Sequence, residues 1–179
     1  MTAPEPLDPG TKRIFTVVAW ASFAVIIVIS AYGIVEALTT FRGAVGTEWV
    51  DVYWPFPPYF AQPVTYFSVA CLALFYSGLR LWEARIAKWP AGVISLLRLL
   101  GFIVAFSAAY EVIYNFVFWG AAYSEAALTS HAAIVPDTLA SDFPAPWNFV
   151  FATRIFATIF ALSGYSVYFL RRLNRAVRA

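Results

Sequence analysis

The chain has 179 residues, of which 61% are hydrophobic and only 12% charged, with 12 Lys and Arg against 10 Asp and Glu. A soluble domain carries about 25% charged residues, so the composition excludes an ordinary soluble domain and indicates an integral membrane protein. A single cysteine, Cys71, excludes an intramolecular disulfide, and a single histidine, His131, excludes bis-histidine haem, multi-histidine copper or zinc and di-iron carboxylate–histidine sites.

Residues 1–10 are polar and proline-containing and read as a short tail. Lys12 and Arg13 then precede an apolar run reaching Leu38, far longer than a signal-peptide core, so residues 14–38 form the first predicted span. Residues 39–63 form a long loop with Trp49, Tyr53, Trp54, Phe56, Tyr59 and Phe60 among Pro55, Pro57, Pro58 and Pro63. Proline opposes regular helix and aromatics favour the headgroup region, so an interfacial loop is expected.

The second span covers residues 64–84, and Trp89-Pro90-Ala91-Gly92 signals a tight turn into a third span over residues 93–119. Gly101, Ala105 and Ala109 recur every four residues there, a small-residue face on which another helix can pack closely. Residues 120–148 form a second long loop containing His131 and an Asp-Phe-Pro-Ala-Pro-Trp run ending at Trp147, with a short helix possible over residues 124–130. The fourth span covers residues 149–170, and a basic tail over residues 171–179 carries Arg171, Arg172, Arg175 and Arg178.

Charge sets the expected orientation. Lys12, Arg13, Arg80, Arg85, Lys88, Arg98 and the four C-terminal arginines fall on one side, and only Arg42 and Arg154 on the other. The expectation is a single all-α membrane domain, a four-helix up-down-up-down bundle in the plasma membrane. Both termini are cytoplasmic and both aromatic, proline-rich loops lie outside. The C-terminal arginines are expected to meet anionic lipids.

The third span carries a polar stripe, Ser107, Glu111 and Asn115, at intervals of four. A carboxylate in hydrocarbon costs at least ~2 kcal/mol, so Glu111 needs a partner, a proton or water. Counting from midpoints near Phe106 and Phe160, Glu111 lies roughly 7–8 Å outward on its helix and Arg154 roughly 9 Å outward on its own. An intramembrane ion pair between them is therefore expected, with Asn115 beside it and Tyr110, Tyr114 and Thr158 nearby. In the inner half, Glu83 and Arg98 both lie about 12–14 Å inward, which predicts a clasp between them with Arg80 one turn above Glu83.

Four-span disulfide-forming enzymes need several cysteines, and four-helix b-type cytochromes need intramembrane histidines; both are excluded. No lysine lies inside a span, so a retinal Schiff base has no anchor. No cofactor or nucleic-acid partner is expected, and no catalytic residue can be named. Missing metal ligands, little extramembrane mass and abundant aromatics favour a non-catalytic subunit or scaffold of a larger membrane complex, joined to other subunits or to copies of itself. The alternative is an outward-facing pocket that binds, transports or isomerises a small molecule, with Glu111 and Arg154 as anchors and the Trp54 and Trp147 segments as covers.

Overall fold

A computed structural model describes residues 7–40, 49, 62–128 and 146–178, without the side chains at 40, 122–123, 125–128, 146–150 and 174–178. These residues form four helices: α1 (Pro9–Thr40), α2 (Pro63–Ile86), α3 (Ala91–Leu128) and α4 (Pro146–Arg178). All four are long and apolar enough to cross a membrane.

Each helix is longer than its hydrophobic run suggests, for local reasons. Asp8 caps α1, accepting from the Thr11 amide at 2.9 Å, and Pro9 follows at the first helical position. That bonding also holds the Asp8 carboxyl below its usual range, the Thr11 hydrogen bonds being the main cause. α2 starts at Pro63 behind Gln62, whose backbone is extended at φ −93° and ψ 141°. Its last turn closes through Ala87 N donating to Glu83 O at 2.9 Å. α3 runs nine residues beyond the predicted span, through an alanine-rich stretch with high helix propensity. Its 38 residues span about 57 Å, nearly twice the hydrocarbon thickness, so α3 tilts or projects beyond it. α4 continues to Arg178, so the predicted basic tail is helix and not a separate segment. Of the predicted first loop only residues 39–40, 49 and 62–63 are described; Trp54 and His131 lie outside the described residues.

α3 packs along α4, α1 along α2, and α2 along α4; among the described residues no other pair is in contact. The series is therefore α1–α2–α4–α3, open at both ends, and not a closed ring. Although a four-residue turn joins α2 to α3, α4 lies between them. At the turn end, Ile86 of α2 and Ile94 of α3 both pack on Phe169, Leu170 and Leu173 of α4. Phe169 and Leu173 are each 1% exposed, so these side chains form a buried core at this end.

The α3–α4 seam depends on small residues. Ala105 and Ala108 are buried, and a Cβ at Gly101 would stand 3.1 Å from Val167 Cγ2 and 3.6 Å from the Ser163 carbonyl oxygen. Gly101→Val is expected to cost about 1–3 kcal/mol through overpacking, read as a lower thermal unfolding midpoint in detergent. Gly78→Val, where nothing lies within 4 Å of the added Cβ, is the control expected to change little.

Candidate functional site

Two polar clusters form, one near each end of the helices. At the loop end, Gln62 is buried and occupies the N-cap position of α2 without capping it. Its Oε1 instead accepts from Arg154 Nη1 across the α2–α4 interface, and Thr65 Oγ1 accepts from the same nitrogen at 3.3 Å. Hydrogen bonds from a guanidinium are stronger than neutral ones, and here they fasten α4 to the start of α2.

On the other flank of α4, the buried Asn115 donates through Nδ2 to Thr153 Oγ1 at 3.2 Å. Thr153 and Arg154 are adjacent in sequence, so their side chains point about 100° apart. One faces α3 and the other faces α2. This separation corrects the expected Glu111–Arg154 pair. Asn115, one turn from Glu111, is the α3 residue level with Thr153 and Arg154; Arg154 turns towards α2, and Glu111 takes part in no hydrogen bond or ion pair among the described residues.

The stripe on α3 twists across the surface of its helix. Residues four apart advance about 40° around the axis, so the stripe drifts. Asn115 is buried, Glu111 half-buried and Ser107 exposed. Tyr110 and Tyr114 are exposed and stack with ring centroids 6.4 Å apart; Tyr114 continues onto Phe118 at 6.3 Å. These rings therefore face away from α4 and do not line a pocket with Arg154. Thr158 is buried and donates to the Arg154 carbonyl at 2.8 Å, satisfied within its own helix.

At the turn end, Glu83 is the anion of the cluster. It accepts from Arg80 Nη1 at 2.7 Å and pairs through its other oxygen with Arg172 Nη2. The expected Arg80 contact is present, but the cross-helix partner is Arg172 of α4 and not Arg98 of α3. The lateral order explains this: α4, not α3, adjoins α2. Arg98 Nε is buried without a hydrogen-bond partner among the described residues. Tyr165 of α4 lies beside the cluster, its ring centroid 5.2 Å from that of Tyr76 on α2.

Gln62, Thr65 and Thr153 were not among the expected site residues. The available signal for Gln62 was its place before Pro63, which marks a helix start at the same level as Arg154. Trp49 is a further surprise. Its ring meets Phe67 of α2 at 4.8 Å and Phe151 of α4 at 6.0 Å, and a Cβ at Gly33 would collide with its indole nitrogen. One residue of the first loop thus reaches three helices, at a point where only glycine on α1 leaves room.

Cys71 is half-buried in α2, and no group of three or more metal-binding side chains occurs among the described residues. No protein-family model, curated protein or solved structure matches the chain.

Proposed function

We propose that this chain is a non-catalytic integral membrane subunit or scaffold of a larger membrane complex. The observation that carries the proposal is the outward face of α3. It presents Phe102, Phe106, Tyr110, Tyr114 and Val117 to the surroundings, and Glu111 sits at its edge, half-buried and without a hydrogen bond or ion pair among the described residues. Lipid tails can cover the rings but cannot satisfy a carboxylate. A neighbouring helix with a cation or hydrogen-bond donor at that depth can do both. α3 ends the open series, so this face is available to such a helix.

The orientation belongs to the same proposal. The end bearing residues 87–90 gathers Arg80, Arg85, Lys88, Arg98, Arg171 and Arg172, and by the positive-inside preference it faces the cytoplasm of a plasma-membrane protein with both termini inside. A pocket anchored jointly by Glu111 and Arg154 is the weaker alternative, because Arg154 turns towards α2 and away from α3, the helix that carries Glu111.

A photo-reactive benzophenone amino acid in place of Phe106, which is 67% exposed, tests the subunit role in intact membranes. The expected product is an adduct to a membrane helix, of another protein or of a second copy. That helix should carry Arg, Lys, His or an amide side chain within one turn of the linked residue. Lipid adducts alone, with a monomer after gentle solubilisation, would remove the basis for the proposal.

A further inference from the structure

The α1–α2 seam contains an open groove of about 580 Å³. Ala21, Ser22 and Val25 of α1 face Thr65, Ala70 and Ala73 of α2 across it. Ala21, Ser22, Ala70 and Ala73 leave space between the two helices that Val25, Tyr66 and Val69, which also line it, do not fill. The groove is almost wholly apolar, and it lies between two helices long and apolar enough to span a bilayer.

One wall residue makes the groove chemically asymmetric. Thr65 lines it, and the Thr65 hydroxyl also accepts from Arg154 Nη1 at 3.3 Å. A guanidinium, charged at every physiological pH, is thereby bonded from the α4 side to the residue that ends the groove at the first turn of α2. From Thr65 to Ala73 the wall continues for about 12 Å through Tyr66, Val69 and Ala70, apolar but for the Tyr66 hydroxyl. A charged end followed by an apolar channel matches an amphiphile with an anionic head and a long chain.

We propose that the groove binds one anionic phospholipid of the leaflet at the loop end. An acyl chain lies between the alanines of α1 and α2, and the phosphate meets Arg154. Guanidinium donors match phosphate oxygens in geometry and charge. A net anionic headgroup is favoured over a zwitterionic one because it brings no cation of its own towards Arg154. This site is in the opposite half of the molecule from the arginines that end α4, and it does not depend on the subunit role.

The test uses the full chain, purified in mild detergent and exchanged into an equal mixture of phosphatidylglycerol and phosphatidylcholine, with bound lipid read by native mass spectrometry. The wild type is expected to retain one phosphatidylglycerol in about tenfold preference, the scale of one charge-assisted hydrogen bond. Arg154→Gln is expected to remove the preference. Ala73→Phe, which fills the channel, is expected to lower total bound lipid with either headgroup. Ala21→Phe does the same from the opposite wall and replaces it if Ala73→Phe does not fold; Thr65→Val likewise stands in for Arg154→Gln, with a reduced preference expected. Retention of the headgroup preference without Arg154, wild-type lipid occupancy in a channel-filled variant, or a wild type holding only free fatty acid would each overturn the proposal.

Discussion

Replacing Glu83 with glutamine is expected to lower stability by about 2–3 kcal/mol, less than the roughly 3–5 kcal/mol typical of a fully buried pair. The substitution keeps the side-chain shape, so no cavity contributes. It leaves Arg80 and Arg172 facing each other without their shared anion. The discount follows from exposure: the Glu83 side chain is 10% exposed, but that of Arg172 is 48% exposed and shares its charge with solvent. Thermal unfolding in detergent measures the loss. A double-mutant cycle identifies the partner, because coupling is confined to groups in contact. Glu83 with Arg172 should show coupling above about 1 kcal/mol, and Glu83 with Arg98 close to none. The reverse pattern would mean that the sequence-based clasp was right and that α3 adjoins α2 at this end.

Glu111→Leu is expected to produce a split result. The isolated chain should keep or gain stability, because the substitution removes a carboxylate that makes no hydrogen bond or ion pair among the described residues. The assembly should weaken by about 2–5 kcal/mol, the range for removing one member of a buried polar pair across an interface. The lower bound corresponds to roughly a 30-fold rise in the dissociation constant. Monomer unfolding and analytical ultracentrifugation in the same detergent read the two quantities separately. A destabilised monomer would show instead that Glu111 locks α3 within its own chain. An unchanged assembly with an unchanged monomer would remove the carboxylate from the interface.

The axial layout was legible in the sequence and the lateral layout was not. Four long apolar runs identify four spanning helices, because a bilayer demands about 20 apolar residues per crossing. Counting residues from each midpoint placed Glu111 level with Arg154, and Glu83 level with Arg98. Depth, however, fixes only one coordinate. Arg154 could meet Glu111 only if α4 turned that residue towards α3, and Thr153 occupies that direction instead. Glu83 could meet Arg98 only if α2 touched α3, and α4 intervenes. Neither fact is written in hydropathy, since α1 and α3 are apolar over most of their surface and the polar stripe of α3 does not declare which helix adjoins it.

Helix ends were misplaced for a different reason. Hydropathy stops where the membrane stops, but helices continue as long as propensity permits. The alanines beyond Gly120 and the leucine- and arginine-rich end of α4 extend both helices past the apolar run. At α1 the Asp8-Pro9 pair carried a start signal that the polar composition of the segment concealed.

The position of α4 between α2 and α3 also imposes an order in time. Synthesis delivers α2, the short turn and α3 first, and α4 follows only after the chain has continued beyond Leu128. The α2–α3 hairpin therefore cannot zip shut on itself as it enters the bilayer. Gly101, Ala105 and Ala108 of α3 and the Glu83 carboxylate of α2 must wait, temporarily covered by lipid or by insertion machinery, until α4 slides between them. α4 is thus the keystone among these four helices, and a nascent chain halted before it would expose both halves of an unfinished seam.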